Sequence, residues 1–168
     1  MNVFLRKSDV LKIACLAQIV NTISPITTTR DGLLKHATYY PIMLFGRMAS
    51  GNALDVAVRA PRVETCEFGD VAVLDVASSY NEETGTSAIF IVNRSQTDSV
   101  TVGVRWQALT PTRVTSAYQI AGTDPKAVNS FENPERVVAR SIKTPSISES
   151  TMTLNLPPLS FTAIEVAM

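Results

Sequence analysis

The chain has 168 residues, 45% of them hydrophobic and 18% charged, and its 15 basic and 15 acidic side chains leave no formal net charge. This is enough apolar material for a core and too much for a disordered chain. Zero charge without a basic patch or an Arg-rich helix excludes nucleic acid as a partner, and no apolar run is long enough to span a bilayer.

The start, Met1-Asn-Val-Phe-Leu-Arg-Lys7, lacks the charged start, apolar stretch and cleavage site of a signal peptide, so the residues present are expected in the cytoplasm. Asn2 to Ser8 reads as the last turns of a helix. Ile13-Ala-Cys-Leu-Ala17 is a continuous apolar run, the pattern of a parallel strand covered on both faces. From Asn21 to Leu34 the chain carries Thr, Ser, Pro25, three consecutive threonines and Gly32, which predicts an irregular loop. Lys35 to Met48 reads as a helix, because Tyr39, Tyr40, Met43, Leu44 and Arg47 recur at three- and four-residue spacing. Pro41 lies in its first turns, where a missing N–H costs little, and Gly51 follows as a C-cap.

Beyond Gly51-Asn52 the period becomes two. Leu54, Val56 and Val58 alternate with polar or small residues, and strands are predicted over Val71–Tyr80, Thr86–Asn93, Val100–Trp106, Arg113–Ile120, Val137–Ile142, Met152–Leu156 and Ser160–Val166. Asn81-Glu-Glu-Thr-Gly85 is a turn, and Gly122 to Glu135 is a polar exposed loop. Short strands at this spacing indicate an antiparallel β-sandwich or jelly roll.

Few residues are candidates for chemistry. Cys15 and Cys66 are too few and too far apart for a disulfide framework or a metal site, and read as free, buried thiols. His36 is the only histidine, so a histidine metal cluster is impossible and helix-start packing or solvent contact is its expected role. Tyr39 and Tyr40, at helical spacing, read as core. Asn21 reads as a structural residue that orients a neighbouring group. The acidic residues are scattered, and a solvated turn pair such as Glu82-Glu83 has neither the geometry nor the controlled pKa of a catalytic pair. Trp106 ends a strand in phase with Val100, Val102 and Val104, which places it in the sandwich rather than under a sugar ring.

One stretch is more specific: Lys12-Ile-Ala-Cys-Leu-Ala-Gln18-Ile-Val-Asn21-Thr-Ile-Ser-Pro25-Ile26, with His36-Ala-Thr-Tyr-Tyr40-Pro41 after it and Leu156-Pro-Pro-Leu-Ser-Phe-Thr-Ala-Ile-Glu-Val166 near the end. It resembles the last strand and helix of the catalytic (β/α)8 barrel, followed by the C-terminal β-sandwich, of glycoside hydrolase family 51 α-L-arabinofuranosidases. The resemblance implies two parts: residues 1–51 as a remnant of the barrel (end of helix 7, strand 8, helix 8) and residues 52–168 as the sandwich. A full barrel needs ~250 residues, so most of it would lie outside this sequence.

What the resemblance implies about function is concrete. The parent activity is retaining hydrolysis of terminal non-reducing α-L-arabinofuranosyl groups, with an arabinofuranosyl oligosaccharide as partner, no metal or organic cofactor, and a homo-oligomer expected on resemblance alone. The family's two catalytic glutamates lie on earlier barrel strands and have no counterpart here, so no residue is assigned as catalytic. Gln18 matches a glutamine that hydrogen-bonds the sugar. Alternation along the strand would point it into the barrel with Ala14 and Leu16, and an amide can donate and accept together, which suits a hydroxyl. The other reading of Gln18 is a residue that merely ends a strand. The alternative for the whole chain is a non-catalytic sandwich module that binds carbohydrate or protein.

Overall fold

The structure, a computed structural model, describes residues 1–168. It is a mainly β protein: α1 (Asn2–Arg6), β1 (Ile26–Thr28), β2 (Leu33–Lys35), α2 (Tyr39–Met48), β3 (Asn52–Leu54), β4 (Arg62–Thr65), β5 (Gly69–Ala72), β6 (Leu74–Asn81), β7 (Thr86–Asn93), β8 (Val100–Arg105), β9 (Arg113–Ile120), β10 (Arg140–Ser141), β11 (Ile147–Ser148), β12 (Thr151–Leu156) and β13 (Ser160–Ala167). A six-stranded sheet in the order β10-β9-β13-β7-β6-β3 faces a three-stranded sheet in the order β11-β12-β8, while β1-β2 and β4-β5 form separate hairpins. Every pairing between named strands is antiparallel. The expected antiparallel sandwich is the fold observed.

The core between the sheets follows from alternation. On the small sheet, Val100, Val102 and Val104 pair with Leu156, Leu154 and Met152 and send their side chains inward. From the large sheet Leu74, Ile89, Ile91, Ile164 and Val166 meet them. Such cross-strand apolar pairs are the unit of sheet stabilisation. Trp106 packs half-buried at the rim of this core, as its phase predicts.

The opposite face of the large sheet is also covered, which is why β7 reads Ala88-Ile-Phe-Ile-Val92 instead of alternating. Ala88 and Phe90 on β7, with Ala163 on β13, lie under Leu44, Phe45 and Met48 of α2. The rings of Phe45 and Phe90 stack at 3.8 Å between centroids, 14° from parallel. Opposite Phe90 in the register sits Ala163, whose small side chain leaves the helix room to approach. Just beyond α2, Gly51 has φ +74°, and a Cβ there would stand 2.2 Å from the carbonyl oxygen of Tyr80, so only glycine permits this entry into the sheet.

Two asparagine and arginine clasps complete the frame. Asn93, fully buried at the end of β7, donates from Nδ2 to the carbonyls of Asp98, Leu156 and Pro157, and its Oδ1 accepts the N–H of Ser95. It ties the end of the large sheet to the end of the small one. Asp75 on β6 receives Arg6 of α1 at 2.6 Å and Arg94 at 3.3 Å, and the amide of Asn2 donates to the Asp75 carbonyl, so α1 is fixed to the sheet.

Several local expectations are corrected. Ile13–Ala17 is not a strand: residues 11–16 have no regular structure and Ile13 is 78% exposed. A parallel strand exists only through hydrogen bonds to flanking strands, and this chain supplies none there. Asn21–Leu34 is not wholly irregular, since it contains β1 and most of β2. The helix begins at Tyr39 rather than Lys35, the alternation of Leu54 to Val58 yields a strand only as far as Leu54, and Val137–Ile142 pairs only at Arg140–Ser141. The β4–β5 hairpin was not expected. Cys15 and Cys66 are both exposed, the first in the unpaired segment and the second in the β4–β5 turn. No helix is long and apolar enough to cross a membrane.

Candidate functional site

The segment that carries Gln18 has an unusual backbone. Gln18, Asn21 and Thr22 all adopt positive φ, at 53°, 62° and 58°. Non-glycine residues enter this region at a cost, and clusters of them persist only where surrounding bonds hold them. Bonds of this kind hold Asn21. The N–H of Asn21 donates to the carbonyl of Ile26 at 2.7 Å, its Oδ1 accepts the N–H of Thr28 at 2.8 Å, and Val20 forms a parallel bridge with Ile26. Asn21 therefore orients its neighbours, in keeping with the role its residue type implies. Gln18 itself is exposed.

The hairpin that receives this segment is braced in turn. Ile26 pairs with Lys35, Thr27 with Leu34 and Thr28 with Leu33. His36 shares a hydrogen bond of 2.8 Å between Nε2 and Thr27 Oγ1, and its backbone N–H donates to the carbonyl of Pro25, so it braces the approach to α2. Tyr39 and Tyr40 meet edge to face at 5.4 Å and are half-buried rather than core. Lys35 Nζ lies 5.2 Å over the Tyr39 ring. Burial first, then the nearby Glu135 and Tyr39, raise the Tyr40 pKa, which keeps the phenol protonated and unsuited to act as a base.

Several carboxylates are taken up by ion pairs. Asp70, Asp75 and Asp124 are each bound to an arginine, and no cluster of three metal-ligating side chains occurs. A hydrogen bond from Ser130 holds the Glu132 carboxyl below its ordinary range, the wrong direction for a general acid. An open groove between the end of α1 and β3, lined by Arg6, Lys12 and Asp55 among others, does not include Gln18. Unforeseen from sequence is Asn129, whose amide reaches the carbonyl of Lys35 at 2.8 Å from the connection between β9 and β10.

Comparison with known proteins gives one consistent result. The family model of the α-L-arabinofuranosidase C-terminal domain matches residues 1–160. An intracellular exo-α-(1→5)-L-arabinofuranosidase of Streptomyces lividans is 33% identical over 164 residues, spanning 97% of this chain and 25% of that protein. Intracellular exo-α-(1→5)-L-arabinofuranosidase 1 of Bacillus subtilis (strain 168) is 32% identical over 163 residues, spanning 96% of this chain and 32% of that protein. Among solved structures, AbfB, a family 51 α-L-arabinofuranosidase from Bifidobacterium longum, superposes with a TM-score of 0.91 at 27% identity, covering 98% of this chain and 32% of that one. An α-L-arabinofuranosidase from Thermotoga maritima, in a complex with arabinose, gives 0.81 at 26% identity, covering 97% of this chain and 35% of that one. The chain thus spans between 25% and 35% of the length of these relatives. With a matching sequence model and a matching sandwich fold, the chain belongs to the α-L-arabinofuranosidase C-terminal domain family.

Proposed function

We propose that this chain serves as the C-terminal part of an intracellular α-L-arabinofuranosidase that removes terminal non-reducing α-L-arabinofuranosyl groups with retention of configuration. The observation that carries the reading is the agreement with a family 51 enzyme over 98% of the chain, in sequence and in fold together. Residues 1–51 correspond in this reading to the end of the catalytic barrel and residues 52–168 to the accessory sandwich. Gln18 is the substrate-binding residue, its amide hydrogen-bonding a hydroxyl of the arabinofuranosyl ring. Retaining hydrolysis needs two carboxyl groups about 5–5.5 Å apart, one nucleophile and one acid/base. The residues described here contribute binding and support, and the carboxyl pair belongs to the remaining barrel.

The binding-module reading finds less support. Phe45, Phe90 and Phe161 stack on one another between α2 and the sheet, so that sheet face is occupied and offers no aromatic platform to a sugar.

A chimera tests the proposal: the segment of the Streptomyces lividans enzyme that matches this chain is replaced by residues 1–168, and hydrolysis of an aryl α-L-arabinofuranoside is measured. The chimera is expected to turn over the substrate. A folded chimera without activity would count against the reading, and Gln18→Ala in it is expected to lower kcat/KM by ~1–3 kcal/mol, the cost of removing a hydrogen-bond partner from a hydroxyl that the bound enzyme buries.

A further inference from the structure

The Gln18 segment is held by the sandwich as well as by its own bonds. Asn129 lies in the connection between β9 and β10 and is 4% exposed. Its Oδ1 accepts the N–H of Val137 at 2.7 Å, while Nδ2 donates to the carbonyls of Val137 at 2.9 Å and of Lys35 at 2.8 Å. The last of these bonds leaves the sandwich loop and ends on β2, 94 residues earlier in the chain. Lys35 is the register partner of Ile26, and Ile26 is the residue whose carbonyl accepts the N–H of Asn21 and which bridges Val20. Gln18 precedes Val20 by two positions. A second contact runs alongside: a Cβ on Gly32, in the β1–β2 turn, would meet the Phe131 ring at 3.4 Å, so the same loop packs against both ends of the hairpin.

From this connection we propose that Asn129 is a positioning residue for Gln18: the sandwich sets the conformation of the substrate-binding segment through the Lys35–Ile26 pair. The physical basis is a short series of bonds in which each member has one satisfied arrangement. The left-handed conformations at Gln18, Asn21 and Thr22 are disfavoured for free chain, and that of Asn21, between the other two, is held by its bonds to Ile26 and Thr28 of the hairpin. Asn129 is buried where the hairpin meets the sandwich, and its amide is the only hydrogen-bonding side chain of that loop that reaches β2. Asn129 touches no substrate in this scheme and acts on affinity alone. The inference rests on the reading of Gln18 as a sugar-binding amide.

Asn129→Asp is the informative substitution, because a carboxylate still accepts the Val137 N–H but donates neither to the Lys35 carbonyl nor to that of Val137. In the 168-residue chain, amide hydrogen exchange is compared before and after the change. The N–H groups of Asn21, Thr28 and His36 are expected to exchange about tenfold faster, the scale of losing the one bond that links the loop to β2, with those of β7 unchanged. Unchanged exchange at those three amides overturns the inference by itself.

In the chimeric enzyme, inhibition by L-arabinose is measured for Asn129→Asp, Gln18→Ala and the double variant. Each single change is expected to weaken inhibition, by about tenfold for Asn129→Asp, and Asn129→Asp is expected to add nothing once Gln18 is gone. Additive effects would overturn the positioning role and leave the Gln18 reading standing. No effect of Gln18→Ala would remove the Gln18 reading, and the inference with it.

Discussion

Asn93 shows how much a single residue does here. One buried amide accepts a turn N–H and is shared among three carbonyls, two of them beyond the last strand of the other sheet or at its end. Replacing Asn93 by Ala strands these groups, and the expected loss of stability is about 1–3 kcal/mol, read as a lower urea unfolding midpoint at unchanged slope. Tyr40 makes a pH-dependent contribution. Its folded-state pKa lies above the ordinary 10.0, so the folded chain holds that proton more tightly than the unfolded chain does. The corresponding stability is complete below 10.0 and is lost as pH rises through the folded value. Tyr40→Phe is expected to unfold less readily than the parent as pH climbs past 10.0, while at neutral pH the two differ little in their dependence on pH. Parallel unfolding curves for the two proteins across that range would show that Tyr40 does not titrate as described.

Elements were legible in the sequence in proportion to how fully they are paired. Thr86–Asn93 and Arg113–Ile120 are readable to the residue, and Ser160–Val166 to within one, since β9, β13 and β7 lie side by side inside the large sheet and are paired along their length. The same apolar logic failed at Ile13–Ala17, because a strand is a relation between chains and the run has no neighbour to pair with. The hairpins β1–β2 and β4–β5 leave no mark in the sequence because their strands are three or four residues long, too short for a period to appear. Of the proposed site, Gln18 is singled out by family resemblance alone, and nothing in the sequence singles out Asn129: its partner lies 94 residues away and no local pattern marks it. These differences in pairing set the order of cleavage. Limited proteolysis is expected to cut first within residues 11–19, where the chain is exposed and unpaired, and to leave a product beginning near the braced Ser24–Ile26 turn. First cuts inside Thr86–Asn93 would contradict the packing described.

At the scale of the molecule, two layers of sheet and one helix make a scaffold complete in its core, while the apolar segment before the hairpin is left uncovered. Exposed side chains at Ile13, Ile19 and Ile23 mark it. Exposed apolar side chains grouped in this way on an otherwise closed fold mark a surface suited to contact with further protein. In the proposed reading, chemistry depends on carboxyl groups outside these residues, since an amide can bind a sugar but can neither attack its anomeric carbon nor protonate a leaving group. The measurement that bears most directly on this division of labour is turnover of an aryl α-L-arabinofuranoside by the purified 168-residue chain. No hydrolysis above the uncatalysed rate is expected at any protein concentration. Turnover that rises in proportion to this chain and survives rigorous purification would contradict it.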